Sequence, residues 1–151
     1  KMKRDTYTPL LSEVLTRVGE AKNRAAKLEI MQRYDTPALR MILKSSFDPE
    51  IKWALPEGDV PFKKNEAEEG TEHTTLAHEM KKVFNFLEGG NDRLTTTKRE
   101  MMFIQMLEGL HINEAGLLIN ARNKRVHKVY KGLTVKLVKE AFNWDDDFVA
   151  V

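Results

Sequence analysis

Through most of this chain, apolar residues recur three and four positions apart, which is the spacing that places them on one face of an α-helix. The first clear case lies within residues 9–18, where Leu11, Val14, Leu15 and Val18 share a face. No stretch alternates apolar and polar residues for long enough to predict a β-strand. The pattern therefore predicts an all-α fold, and a length of 151 residues is typical of one domain that buries a core without disulfides.

The same repeats predict a single compact domain, residues 1–151, of about six to seven short helices, which begin near residues 9, 22, 37, 75, 97, 113 and 134. Met101 to Leu107 form the most hydrophobic segment, so we expect the helix that contains them to be the buried, central one. Residues 48–75 contain three prolines and two glycines, which predicts a long loop insertion. We expect residues 1–8 to be a flexible N-terminus and residues 143–151 to be a C-terminal tail.

Composition excludes several classes of function. The absence of cysteine excludes disulfides, thiolate zinc sites and a cysteine nucleophile. No apolar run approaches the roughly 20 residues that a membrane span requires, and residues 1–8 lack the apolar core of a secretory signal, so we expect no membrane partner. The sequence has no Walker A loop, dinucleotide-binding glycine motif, nucleophile elbow or kinase motif set. We therefore expect a protein that is not an enzyme and has no cofactor.

Two groups of side chains contain potential metal ligands. His73 and His78 lie five positions apart, which is a poor spacing for one helix face, although Glu72 and Glu79 flank them. Residues 145–147 are three consecutive aspartates, but they lack calcium-loop spacing and a following glutamate. We interpret both groups as surface residues and predict no metal site.

The distribution of charge is more informative than the net charge of +2. Residues 122–139 contain seven lysines and arginines and no acidic residue: Arg122, Lys124, Arg125, Lys128, Lys131, Lys136 and Lys139. Gly132 and Thr134 precede the last predicted helix within this stretch. Helix N-terminal amides beside Lys and Arg side chains are a common phosphate site, which favours a nucleic-acid backbone as the ligand. The alternative interpretation is a solvated basic face that balances the acidic loops.

Four segments resemble a family of uncharacterised proteins from tailed myoviruses, notably those that infect cyanobacteria. They are residues 34–40, 55–61, 99–108 and 130–134. The resemblance extends over nearly the whole chain and implies a phage origin, with the host cytoplasm as the location, but no particular activity.

The order of elements is also similar to the helical N-terminal DNA-binding domain of ATP-dependent DNA ligases, particularly the phage type. A short helix at residues 10–15 precedes a charged helix at 22–32, and the segment 51–56 ends in a proline. The stretch 132–142 resembles the ligase segment in which a glycine and a hydroxyl residue open a helix that an aromatic residue closes. The resemblance implies contact with duplex phosphates through Lys22, Arg24 and Lys27, and through Lys131, Thr134, Lys136 and Lys139. The ligase catalytic core is absent, so it implies a separate binding module.

Together these features favour a non-enzymatic phage accessory protein that binds duplex or nicked DNA by its backbone, without base specificity. The alternative is an adaptor that binds a phage or host replication or transcription protein. In that case, residues 48–75 and the C-terminal tail would form the contact surfaces.

Overall fold

The computed structural model describes residues 8–56, 58–65 and 74–144, and within these residues the chain is helical and contains no strand. The all-α prediction is therefore confirmed. The elements are α1 Leu11–Glu20, α2 Arg24–Arg33, α3 Pro37–Phe47, α4 Leu76–Glu79, a 3-10 helix Met80–Phe86, α5 Thr96–Gly109, α6 Ile112–Arg122, α7 Val126–Val129 and α8 Val135–Phe142. The described residues contain more helices than the sequence predicts. The reasons are that the fourth predicted helix is divided into α4 and the 3-10 helix and that the four-residue α7 has no repeat of its own.

Helix α6 occupies the centre of the fold and packs against α1, α3, α4, α5 and α7. The expectation that the hydrophobic segment in α5 would be central is wrong. Met101 remains 53% exposed, whereas Phe103 and Leu107 on the opposite face of α5 are buried. The number of apolar residues in a helix does not determine how many neighbours cover it, and α5 packs mainly against α6 and the 3-10 helix.

A fully buried carboxylate joins the helix starts around α6. Glu114 is 0% exposed, and its Oε2 accepts a hydrogen bond from the Leu11 N–H at 2.9 Å while its Oε1 accepts one from the Leu76 N–H at 2.8 Å. Both donors belong to first-turn amides that have no partner within their own helix. Helix α1 begins at Leu11 rather than at the predicted Pro9, and the local Glu13 carboxylate also accepts a hydrogen bond there, from the Leu10 N–H at 2.8 Å.

Most other helix starts are capped by local side chains, as the sequence predicts. Thr36, Thr75 and Thr134 accept hydrogen bonds from amides three residues later and begin α3, α4 and α8. His111 is the N-cap of α6, where its Nδ1 accepts the Asn113 N–H at 3.0 Å.

The first part of the predicted long loop crosses the helical core. Trp53 forms an antiparallel bridge with Leu87, and the Trp53 Nε1–H donates to the Ser45 carbonyl at 3.2 Å. The indole ring is half-buried against the core, together with Leu55 and other apolar side chains of the loop. The acidic run at 66–69 lies outside the described residues.

The 3-10 helix changes which side chains are buried. Met80, Val83 and Phe86 face the core because side chains three residues apart eclipse one another in this helix. A continuous α-helix would place Phe84 on the same face as Met80, but in the 3-10 helix Phe84 is 45% exposed. Across the described residues, none of the helices is both long and apolar enough to cross a lipid bilayer.

Candidate nucleic-acid interface

The acid-free stretch folds into the end of α6, the short helix α7 and helix α8. Lys124 adopts a φ of +60° just beyond α6, and this left-handed residue redirects the chain into α7. Gly132, with a φ of +85°, makes the next turn, and the Thr134 Oγ1 accepts the Leu137 N–H at 3.1 Å to begin α8. Val126, Leu133 and Leu137 are buried. The polar side chains of this region are therefore attached to a fixed backbone.

Four cations of this region are exposed: Arg125, Lys128, Lys131 and Lys136. None of them is paired with a carboxylate of the described residues. We call these four residues the α7–α8 basic surface. Lys139 lies farther along α8 and is half-buried.

The turn between α1 and α2 lies against this surface. A Cβ placed on Gly19 would lie 3.4 Å from the Lys131 carbonyl oxygen, and one placed on Gly132 would lie 3.0 Å from the Lys27 Nζ. Lys22 is exposed in the same α1–α2 turn. The fold therefore brings the predicted Lys22 close to the turn that precedes α8, although the two are far apart in sequence.

Two of the predicted phosphate ligands bind helix C-termini instead. The Lys27 Nζ donates to the carbonyls of Val18, at 2.8 Å, and Gly19, at 3.4 Å, at the end of α1. The Lys124 Nζ donates to three carbonyls near the end of α3, those of Ser45 and Asp48 at 2.8 Å and that of Ile51. All three ammonium hydrogens of Lys124 thus have acceptors within the protein.

Burial also changes the acidity of Lys124. It lowers the pKa of Lys124 to about 8; Asp48 opposes this change, and the neighbouring charge of Lys52 adds to it. Lys52 is exposed and lies outside the acid-free stretch. Sequence analysis did not select it, because only the path of the loop brings it beside Lys124.

Two predicted arginines also have partners within the protein. The Arg122 guanidinium donates to the carbonyls of Pro56 and of Gly58, the latter at 2.9 Å, and so fastens the loop to the end of α6. Arg24, at the start of α2, forms an ion pair with Glu140 of α8. Arg24, Lys27, Arg122 and Lys124 are therefore used to hold elements together.

The pKa of His127 depends on the charged side chains around α7. Its pKa is lowered by burial and, in addition, by the positive charges of Lys128 and Arg125. Its Nδ1 is buried and has no hydrogen-bond partner among the described residues, and its ring lies 5.7 Å from that of Phe47. The positive charges of Lys128 and Arg125 therefore make the electrostatic potential around α7 positive.

The suggested metal-binding residues do not form a site in the part of the chain that the structure describes, where no group of three potential ligands converges. His78 is exposed, and Glu79 accepts a hydrogen bond from the Thr74 hydroxyl at 2.8 Å. Glu72, His73 and residues 145–147 lie outside the described residues.

Comparison with known proteins identifies one family. The model of a family of unknown function (DUF6433) matches residues 14–128, which is most of the chain and ends within α7. No curated protein and no solved structure matches the chain.

Proposed function

The chain belongs to the family of unknown function DUF6433, and we propose that it is a non-enzymatic DNA-binding protein that contacts the phosphate backbone through the α7–α8 basic surface. The observation that carries this proposal is the presence of four exposed cations without carboxylate partners among the described residues, distributed over α7, the turn that follows it and the first turn of α8. Surface cations of a folded protein are usually interspersed with acids, whereas a one-sign surface attracts a polyanion.

The start of α8 supplies further donors. The Thr134 hydroxyl oxygen accepts a hydrogen bond from the Leu137 N–H. The N–H groups of Val135 and Lys136, in contrast, have no acceptor in the described part of the chain. First-turn amides and the positive end of the helix dipole favour a phosphate, and Lys131 and Lys136 lie just before and within this turn. Phosphate oxygens would accept from these amides while the lysines neutralise the charge.

The composition of the surface favours backbone contact over base recognition. Three of its four cations are lysines, which act as flexible point charges and do not provide the fixed bidentate geometry with which arginine reads guanine. Helix α8 has eight residues and buries Leu137, Val138, Ala141 and Phe142, so its apolar face is committed to the core. This agrees with the resemblance to ligase DNA-binding domains, which implies sequence-tolerant binding. The resemblance to myovirus proteins likewise supports a phage accessory role in the host cytoplasm.

Salt-dependent binding tests the proposal. Fluorescence anisotropy with labelled duplex, nicked and single-stranded DNA would give log Kd against log salt, and four neutralised phosphates predict a slope of magnitude about 3.6. Changing both Lys131 and Lys136 to Ala should reduce that magnitude by about 1.8 and weaken binding to all duplex sequences to a similar extent.

A matched control uses Lys81 and Lys98, which are exposed on the 3-10 helix and α5. The double variant Lys81→Ala, Lys98→Ala removes the same charge and should retain the parent slope. If the Lys131, Lys136 variant binds with the parent affinity and slope, the α7–α8 basic surface is not the DNA site.

A second candidate function is an adaptor for a phage or host replication or transcription protein. It is favoured by the exposure of large apolar side chains, 45% for Phe84 and 53% for Met101, on the 3-10 helix and α5. A stoichiometric partner that survives nuclease treatment and is lost in Phe84→Ser would support the adaptor. Salt-sensitive DNA binding that Phe84→Ser leaves unchanged would support the DNA-binding function.

A further inference from the structure

A groove of about 470 Å³ lies between the loop at residues 49–58, to which Arg122 donates hydrogen bonds, and the end of α6. Its apolar lining comes from Ile51, Trp53 and Leu55, and its charged lining comes from Lys52, Arg122 and Lys124. We call it the Trp53 groove. Its volume is within the range of roughly 300–1,000 Å³ typical of sites for small organic ligands.

The aromatic side chain of this groove is held in a fixed position. The Trp53 indole N–H donates to the Ser45 carbonyl at 3.2 Å. The backbone on either side of Trp53 is also hydrogen-bonded. The Ala54 N–H donates to the Phe86 carbonyl at 2.7 Å, and the Lys52 carbonyl accepts from the Glu88 N–H at 2.8 Å. Trp53 is nevertheless partly exposed. A fixed and partly exposed indole loses little entropy when a planar ligand stacks on it.

The charge of the groove is positive. Its described lining contains three cations and no carboxylate. Lys124 and Arg122 bind backbone carbonyls, which are neutral, so these contacts leave their positive charges in place, although the nearby Asp48 carboxylate offsets part of the charge of Lys124. Lys52 is exposed and has no side-chain partner among the described residues, so its ammonium can reach a ligand. The complementary ligand combines a planar apolar group with an anion.

The groove adjoins the α7–α8 basic surface along the chain. Lys124 lines the groove, and the next residue, Arg125, belongs to the surface. A nucleic-acid strand whose phosphates follow Lys128 and Arg125 would thus arrive at a cavity with an aromatic side chain.

We propose that the Trp53 groove binds an unstacked base of single-stranded DNA, with the base on the Trp53 ring and an adjacent phosphate at Lys52. The inference rests on the proposed function, because the α7–α8 basic surface supplies the phosphate track that leads to the groove. It adds a preference for DNA that exposes unpaired bases, such as a gap or a single-stranded end, since stacking on an aromatic side chain requires a free base face.

Tryptophan fluorescence gives a direct test. The chain has two tryptophans, so Trp144→Phe leaves Trp53 as the single emitter. Titration with oligo(dT) should quench the Trp53 emission saturably, and blunt duplex of equal length should quench it much less. In anisotropy measurements on the same oligo(dT), Trp53→Leu should weaken binding about fivefold or more, while Trp53→Phe should retain most of the affinity.

Lys52→Ala keeps the proposal testable if Trp53→Leu does not fold, because Lys52 is exposed. It should weaken oligo(dT) binding and leave duplex binding almost unchanged, whereas Lys81→Ala should change neither. Oligo(dT) that binds without quenching Trp53, and equally well to Lys52→Ala, would overturn the groove proposal and leave the α7–α8 basic surface intact.

Two further outcomes separate this inference from the proposed function. If oligo(dT) quenches Trp53 while duplex fails to bind at low salt, the groove is supported and the duplex-backbone function fails. If poly-glutamate quenches Trp53 as effectively as oligo(dT) at equal charge, the groove recognises acidic polypeptide, and the base-binding proposal is overturned.

Discussion

Glu114 offers the sharpest test of how this fold is held together. Its buried carboxylate accepts first-turn amides from α1 and α4, two helices that lie 103 and 38 residues away in sequence. Replacement by Gln preserves the size of the side chain and one carbonyl acceptor. The second oxygen becomes an NH₂ group, a donor that faces another donor. The substitution therefore removes hydrogen bonding while leaving the packing almost unchanged.

The expected cost follows from these two contacts. One buried amide loses its acceptor, and the remaining hydrogen bond loses the carboxylate charge, with each change costing about 1–3 kcal/mol. The free energy of unfolding should therefore fall by about 2–6 kcal/mol, a large share of the roughly 5–15 kcal/mol that stabilises a typical domain. For a chain of this size, each kcal/mol lowers the Tm by about 2–4 °C, so a decrease of about 4–24 °C is expected.

Urea unfolding and thermal unfolding, both followed by circular dichroism at 222 nm, would measure the effect. Glu88→Gln is the matched control, because it makes the same chemical change at an exposed residue and should alter stability by no more than about 0.5 kcal/mol. If the free energy of unfolding of Glu114→Gln lies within about 0.5 kcal/mol of the parent value, the hydrogen bonds of Glu114 do not stabilise the starts of α1 and α4.

Three further predictions concern the candidate interface. Gly132→Ala should lower the Tm because the +85° φ disfavours a side chain, whereas Gly116→Ala, within α6 and with open space around it, should maintain or raise the Tm in the same thermal scan. Burial lowers the pKa of Lys124 to about 8 from an ordinary 10.5, so between these values the unfolded chain binds more protons than the folded chain. The stability measured by urea unfolding should therefore rise with pH across that window in the parent more than in Lys124→Met. The pKa of His127 is lowered by burial and by neighbouring cations, so bound DNA phosphates should raise it in a proton NMR titration of the imidazole ring. An unchanged His127 pKa in saturated complex would place the DNA elsewhere.

Nearby residues determine those parts of the fold that the sequence predicts correctly. The stripe of α3, Leu39, Ile42, Leu43 and Phe47, is buried as its spacing predicts, and Thr134 begins α8 as its hydroxyl predicts. The prediction from sequence is wrong where residues distant in sequence determine the structure. The acceptor for the first amide of α1 is the distant Glu114, and the exposure of Met101 depends on which helices cover α5. Neither dependence is visible in a local pattern.

The candidate site shows the same division. The acid-free stretch is evident in the sequence, and four of its cations are exposed, as a phosphate-binding surface requires. The sequence does not reveal that Lys124 donates to carbonyls 73 to 79 residues away, or that Arg122 fastens a loop. Lys52 was not selected, because its place beside Lys124 arises from the same long-range contacts.

The cations that hold the fold together still influence an approaching anion. Lys27 and Lys124 bind the carbonyl ends of α1 and α3, where a positive charge offsets the helix dipole, and the Asp48 carboxylate offsets part of the charge of Lys124. Their charges nevertheless add to the positive potential within a Debye length, about 10 Å at 0.1 M salt. The salt slope, in contrast, counts only phosphates that a side chain neutralises directly. It follows that substitutions at Lys131 and Lys136 should change both affinity and slope, whereas a folded Lys27→Met variant should lower affinity at low salt with little change in slope.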